Sequence, residues 1–166
     1  MKGEQLGQHL TLAELLMIDE DSGNVYMRAT GIKGLGEGSQ MEWLIKDVHE
    51  ELKAWGYPGG GANKIILKSD GEPAKGETQS NGLAEEAGKT VREFTRVLKE
   101  QLEDKAKVEL SCQEPIVLWM VRWAAMTVSR YLVGKDGRTA YERRTGRKCR
   151  VPVVPFGESV WFKDCL

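Results

Sequence analysis

Residues 12–30 read Leu-Ala-Glu-Leu-Leu-Met-Ile-Asp-Glu-Asp-Ser-Gly-Asn-Val-Tyr-Met-Arg-Ala-Thr, and they decide the class of fold. Two short apolar-rich runs, 12–18 and 24–30, flank the polar turn Asp19-Glu20-Asp21-Ser22-Gly23. Turn-forming residues at this separation between strand-like runs predict an antiparallel β-hairpin. After glycines 31, 34, 36 and 38, the periodicity changes. Met41, Leu44, Ile45, Val48, Leu52 and Trp55 fall on one face of a helix over about 40–56, which Tyr57-Pro58-Gly59-Gly60-Gly61 stops.

Further out, Lys64-Ile65-Ile66-Leu67-Lys68 reads as a buried strand that ends at Ser69-Asp70-Gly71, and 71–80 is a polar loop. A long helix over about 81–105 carries Leu83, Ala87, Val91, Phe94, Leu98 and Leu102 on one face. Residues 115–133 are apolar almost all round, the pattern of a central buried helix. A short helix at about 138–144 and a terminal strand from Glu158 to Lys163 complete the series. Strands alternating with helices predict an α/β fold with a mixed sheet of about three to five strands.

The chain has 166 residues, of which 40% are hydrophobic. That suits a single domain over 1–166, with 1–11 expected as a poorly ordered N-terminal remnant. Cys112, Cys149 and Cys165 are odd in number and form no CxxC pair, which argues against a disulfide scaffold or structural zinc and for an intracellular, reducing compartment. No apolar leader opens the sequence, and the apolar run 116–126 is interrupted by Arg122, so no membrane association is expected.

The formal net charge of −1 excludes a uniformly basic nucleic-acid binder but hides an uneven distribution. Residues 138–150 hold Arg138, Arg143, Arg144, Arg147, Lys148 and Arg150 against the single acid Glu142, a local net charge of +5 that leaves −6 elsewhere. Such a field suits phosphate contacts; a solvated surface loop offset by acidic helices is the plainer alternative.

Two phosphate-loop lookalikes fail on spacing. In Gly82–Thr90 the GxxxxGK[ST] pattern requires glycine at 83, where Leu83 stands within an amphipathic helical run. In Gly34-Leu-Gly36-Glu-Gly38 the third glycine of GxGxxG is replaced by Ser39.

The informative constellation is acidic. Asp70 ends the predicted strand, where α/β folds place ligand and metal chemistry, and Glu85 lies one turn into the next helix. Two carboxylates so placed are able to share Mg²⁺ or Mn²⁺ with phosphate oxygens and activate water. On the bland reading Asp70-Gly71 is a turn and Glu85-Glu86 are first-turn acids favoured by the helix dipole.

Several strings together resemble the integrase catalytic core of retrotransposon polyproteins. They are Ile66-Leu67-Lys68-Ser69-Asp70-Gly71-Glu72-Pro73-Ala74, Ser80-Asn81-Gly82-Leu83-Ala84-Glu85, Trp119–Ala125, Tyr131–Arg147 and Phe156–Lys163, in the family's order over nearly the whole chain. The resemblance implies an RNase H-like fold and a polynucleotidyl transferase that processes and joins DNA ends with two Mg²⁺ ions held by a triad of two Asp and one Glu. Asp70 matches the second Asp and Glu85 the Glu, so both are the expected catalytic and metal-binding residues.

The sequence departs from the pattern twice. Residues 1–18 contain Glu4 and Glu14 but no Asp to match the first of the triad, and Asp19 falls in the hairpin turn. Only 14 residues separate Asp70 from Glu85, where the family has a strand, a helix and a mobile loop. A first strand and part of the active-site segment are therefore expected to be missing, as in a truncated or degenerate copy. The reading favoured is an integrase-core fragment that binds DNA through Arg143, Arg144, Arg147, Lys148 and Arg150 and does not catalyse. The alternatives are an enzyme in which Asp19 or Glu4 replaces the lost Asp, and a domesticated DNA- or protein-binding module. Expected partners are DNA and, as an open alternative, a second copy of the chain; nuclear location follows if chromosomal DNA is the target.

Overall fold

The computed structural model describes residues 13–30, 39–57 and 78–159. Strands β1 (Ala13–Ile18) and β2 (Val25–Thr30) form the expected antiparallel hairpin, with Ile18 opposite Val25 and Leu16 opposite Met27. The turn is held by the Asp19 carboxylate, which accepts from the Ser22 amide at 3.2 Å and from the Ser22 hydroxyl. Gly23 takes a left-handed φ of 75° there, a conformation glycine adopts without a Cβ penalty.

Among the described residues four helices follow: α1 (Ser39–Ala54), α2 (Thr78–Ala106), α3 (Pro115–Tyr131) and α4 (Ala140–Thr145). The strand expected at 64–68, the loop beyond it, the remnant at 1–11 and most of the strand expected at 158–163 lie outside the described residues. Glu158 and Ser159, the described start of that last segment, are not in a strand. Mixed α/β character is thus observed, with a two-stranded sheet among the described residues.

Alternation along the strands decides which side chains meet the helices. Leu16 and Ile18 of β1 and Val25, Met27 and Ala29 of β2 share one face, packed against Val91, Phe94 and Leu98 of α2 and Val121, Ala124 and Ala125 of α3. Gly88 lets α2 come close to β1: a Cβ there would meet Leu16 Cδ2 at 3.2 Å. One turn on, Arg92 of α2 pairs with Glu14 of β1 at 2.9 Å.

Helix α3 has the largest set of buried residues of any described helix, including Val117, Met120, Val121, Ala124, Ala125 and Ser129. Its burial is one-sided, however: Trp119 is 60% exposed on the opposite flank. There the chain returns along the helix, with the Phe156 ring 5.3 Å from Trp119 and 6.0 Å from Trp123.

Helix α4 is short and well capped. The Thr139 hydroxyl accepts from the Glu142 amide at 3.1 Å, and Gly146, at φ 72°, closes the other end with its amide on the Glu142 carbonyl.

Candidate functional site

The two expected metal ligands stand differently. Glu85 lies about two turns into α2, exposed to solvent, just before the point where Gly88 meets the hairpin. It forms no ion pair among the described residues. Asp70 lies outside the described residues, and so does Glu4. No group of three or more His, Cys, Asp or Glu side chains is gathered to hold a metal among the described residues.

Asp19, the substitute for the missing carboxylate in the enzyme reading, is already engaged through both oxygens. One accepts from Ser22, and the other accepts from the Tyr57 hydroxyl at 3.1 Å. Its place is a turn brace that also ties the end of α1 to the hairpin.

The basic segment divides into two kinds of residue. Arg143 donates to both oxygens of Asp136, at 2.9 and 2.7 Å, and to the carbonyls of Ser22 at 3.1 Å and Arg138 at 3.3 Å. The Arg143 guanidinium, with help from the Arg138 amide, holds the Asp136 carboxyl well below the usual carboxylate range. Arg144 lies over the Tyr141 ring and donates to the Ala54 carbonyl at the end of α1, 2.5 Å away. Arg147, Lys148 and Arg150 are exposed, as are Lys135 and Arg138 on the loop before α4.

A third cluster was not anticipated. On the outer face of the hairpin, Tyr26 donates to Asp47 of α1 at 2.5 Å, and Arg28 grips both Asp47 oxygens at 2.7 and 2.9 Å. Arg122 of α3 lies 5.0 Å over the Tyr26 ring and pairs with Glu51, which also accepts from Trp55 Nε1 at 2.9 Å. Burial tends to raise the Asp47 pKa, but the hydrogen bonds from Arg28 and Tyr26 overcome it and hold the carboxyl below its usual range. Burial first, and then the Asp47 carboxylate, push the Tyr26 phenol well above its ordinary range.

Each charge in this cluster has a partner within it, and the cluster fastens α1 to the sheet. A sequence signal for it exists. Asp47 and Glu51 are one helical turn apart on α1, while Tyr26 and Arg28 share the face of β2 opposite the core.

Comparison with known proteins adds no assignment: no family model, curated protein or solved structure matches the chain. Among the described residues, no helix is long and apolar enough to cross a membrane.

Proposed function

We propose that this chain is an integrase-core relative with an RNase H-like body, which binds DNA and does not join DNA ends by itself. The observation that carries the reading is the placement of Glu85. The resemblance calls for a Glu on a long helix beside the sheet, and α2 offers it, exposed, where Gly88 brings that helix against β1. The order of elements supports the same body: a hairpin, a helix, the long helix, then a buried helix on the hairpin. Among the described residues no strand lies beside the edge of β1 away from β2, and the proposed body would place the strand expected at 64–68 there.

Fit to the implied Mg²⁺ or Mn²⁺ is partial. Glu85 supplies a hard oxygen donor with no competing ion pair among the described residues, and Asp70 is the second candidate ligand. The pair would hold one ion loosely. A two-metal phosphoryl transfer needs further carboxylates, and Asp19 is committed to its turn. No catalytic step is therefore assigned to these 166 residues.

Fluorescence anisotropy with duplex DNA over a salt series tests the binding half, and an end-joining assay with Mg²⁺ or Mn²⁺ tests the catalytic half. We expect binding that weakens steeply with salt and no joined product. Metal-dependent joining abolished by Glu85→Gln would overturn the non-catalytic reading. Absence of binding at low salt would overturn the DNA reading. An experimental structure with 64–68 away from the β1 edge would remove the RNase H-like body.

A further inference from the structure

We propose that the DNA-contacting surface comprises two loops at the ends of α4, with Lys135 and Arg138 on one and Arg147, Lys148 and Arg150 on the other. Arg143 and Arg144 are the brackets that hold these loops and do not contact DNA. The inference rests on the DNA-binding reading above and assigns the residues that carry it.

The sequence presents one basic run, but side-chain partners divide it. A guanidinium has five N–H donors, and Arg143 makes four hydrogen bonds, two of them to the Asp136 carboxylate. Its charge is answered and its donors are nearly filled, so a phosphate would have to displace a bidentate partner. Gly134 is part of the same bracket: a Cβ there would lie 2.1 Å from an Arg143 terminal nitrogen. Arg144 is half-buried between the Tyr141 ring and the Ala54 carbonyl, with its Nε buried as well.

What the brackets hold is a shaped pair of loops. Before α4, Val133 bridges Thr139, the Gly134 amide donates to the Arg138 carbonyl at 2.8 Å, and Gly137 turns the chain at φ 75°. This presents Lys135 and Arg138 to solvent. After α4, the left-handed Gly146 turns the chain into exposed Arg147, Lys148 and Arg150. The six residues of α4 span about 9 Å, so both loops fall within a few 3.4 Å steps of one DNA strand. Asp136, the acid among them, is neutralised by Arg143. Five exposed cations that form no ion pair among the described residues offer charge to a phosphate backbone, a contact that by itself carries no sequence information, so binding is expected to be independent of sequence.

The test compares salt slopes of duplex binding for single and combined variants of the full chain, with thermal melting alongside. Each of Lys135→Gln, Arg138→Gln, Arg147→Gln, Lys148→Gln and Arg150→Gln that removes a phosphate contact should flatten the log–log slope by about 0.9, with melting unchanged. Arg143→Ala, Arg144→Ala and Gly134→Ala should lower the melting temperature and leave the slope as it is. Gly134→Ala is the decisive bracket variant, because it displaces Arg143 without removing a charge. Should wild type bind with salt sensitivity while the five exposed variants retain its slope, and Arg144→Ala flatten it, this assignment fails and the DNA reading survives. Should wild type not bind at all, both fail.

Discussion

The Ser129 hydroxyl of α3 accepts from the Val25 amide at 2.9 Å and donates to the Val25 carbonyl at 3.2 Å, satisfying both outward-pointing groups of one β2 residue. An edge strand normally shows such groups to water or to another strand. Here a helix lies along the edge, and a small hydroxyl side chain replaces the missing ladder partner. Ala124 and Ala125, one turn earlier, are also fully buried, and their small size admits the close approach.

Replacing this hydroxyl should therefore be expensive for so small a change. Ser129→Ala leaves a buried amide and a buried carbonyl without partners, a loss of about 1–3 kcal/mol. Urea unfolding of the variant should show a lower midpoint with an unchanged slope, since the surface exposed on unfolding is the same. A midpoint equal to that of wild type would mean that water reaches the β2 edge.

Asp47→Asn tests the fastening of α1. The amide cannot satisfy Arg28 and Tyr26 as the carboxylate does, and a loss of about 1–3 kcal/mol is expected at neutral pH. The sign of the pH dependence follows from the lowered pKa of Asp47. Its contribution is fully present above the unfolded carboxyl value of about 3.9, and is lost as pH falls through the lower folded value. The stability difference between wild type and variant should therefore shrink as chemical unfolding is repeated from pH 5 downward, with pH 5 a point about one unit above that value. A constant gap would assign the effect to packing.

Gly134→Ala and Arg143→Ala should behave as one lesion. The new Cβ takes the place of an Arg143 nitrogen, so either change releases the Asp136 bracket. Melting temperatures of the two single variants should fall by similar amounts, and the double variant should melt no lower than the worse single. Additive losses would show that the two residues act independently.

Gly157→Ala addresses the return segment. Gly157 has φ 78°, and a Cβ would come within 2.8 Å of Leu102 Cδ1. A non-glycine residue in that conformation costs about 1–2 kcal/mol even without the contact. The loss should be local: hydrogen exchange at the Glu158 amide, which donates to the Pro155 carbonyl at 3.2 Å, should quicken while the Val25 amide keeps its protection. Equal acceleration at both would make the return segment part of the global core.

The hairpin and the helices were legible because their signals are local. Two apolar runs around Asp19–Gly23 set β1 and β2, and the turn reading of Asp19 agrees with its bonds to Ser22. Helical spacing placed α1, α2 and α3 to within a few residues, and the pairing of Thr139 with Glu142 three residues on is itself a helix-start signal. Glu85 was read as a residue of the long helix, and it is one.

Tertiary structure decided what depends on partners distant in sequence. Residue type alone does not distinguish Arg143 from Arg147, but Arg143 bonds to a carbonyl 121 residues away while Arg147 faces solvent. The apolar content of α3 predicted burial all round; the hairpin covers one flank and leaves Trp119 largely exposed on the other. Ser129 reads as an unremarkable polar residue in a helix until folding sets it beside Val25, 104 residues earlier. Periodicity and turn chemistry act over a few residues and are written in the sequence itself. Charge pairing, edge protection and the split of a basic run into partnered and solvent-facing residues arise when separate elements are packed together.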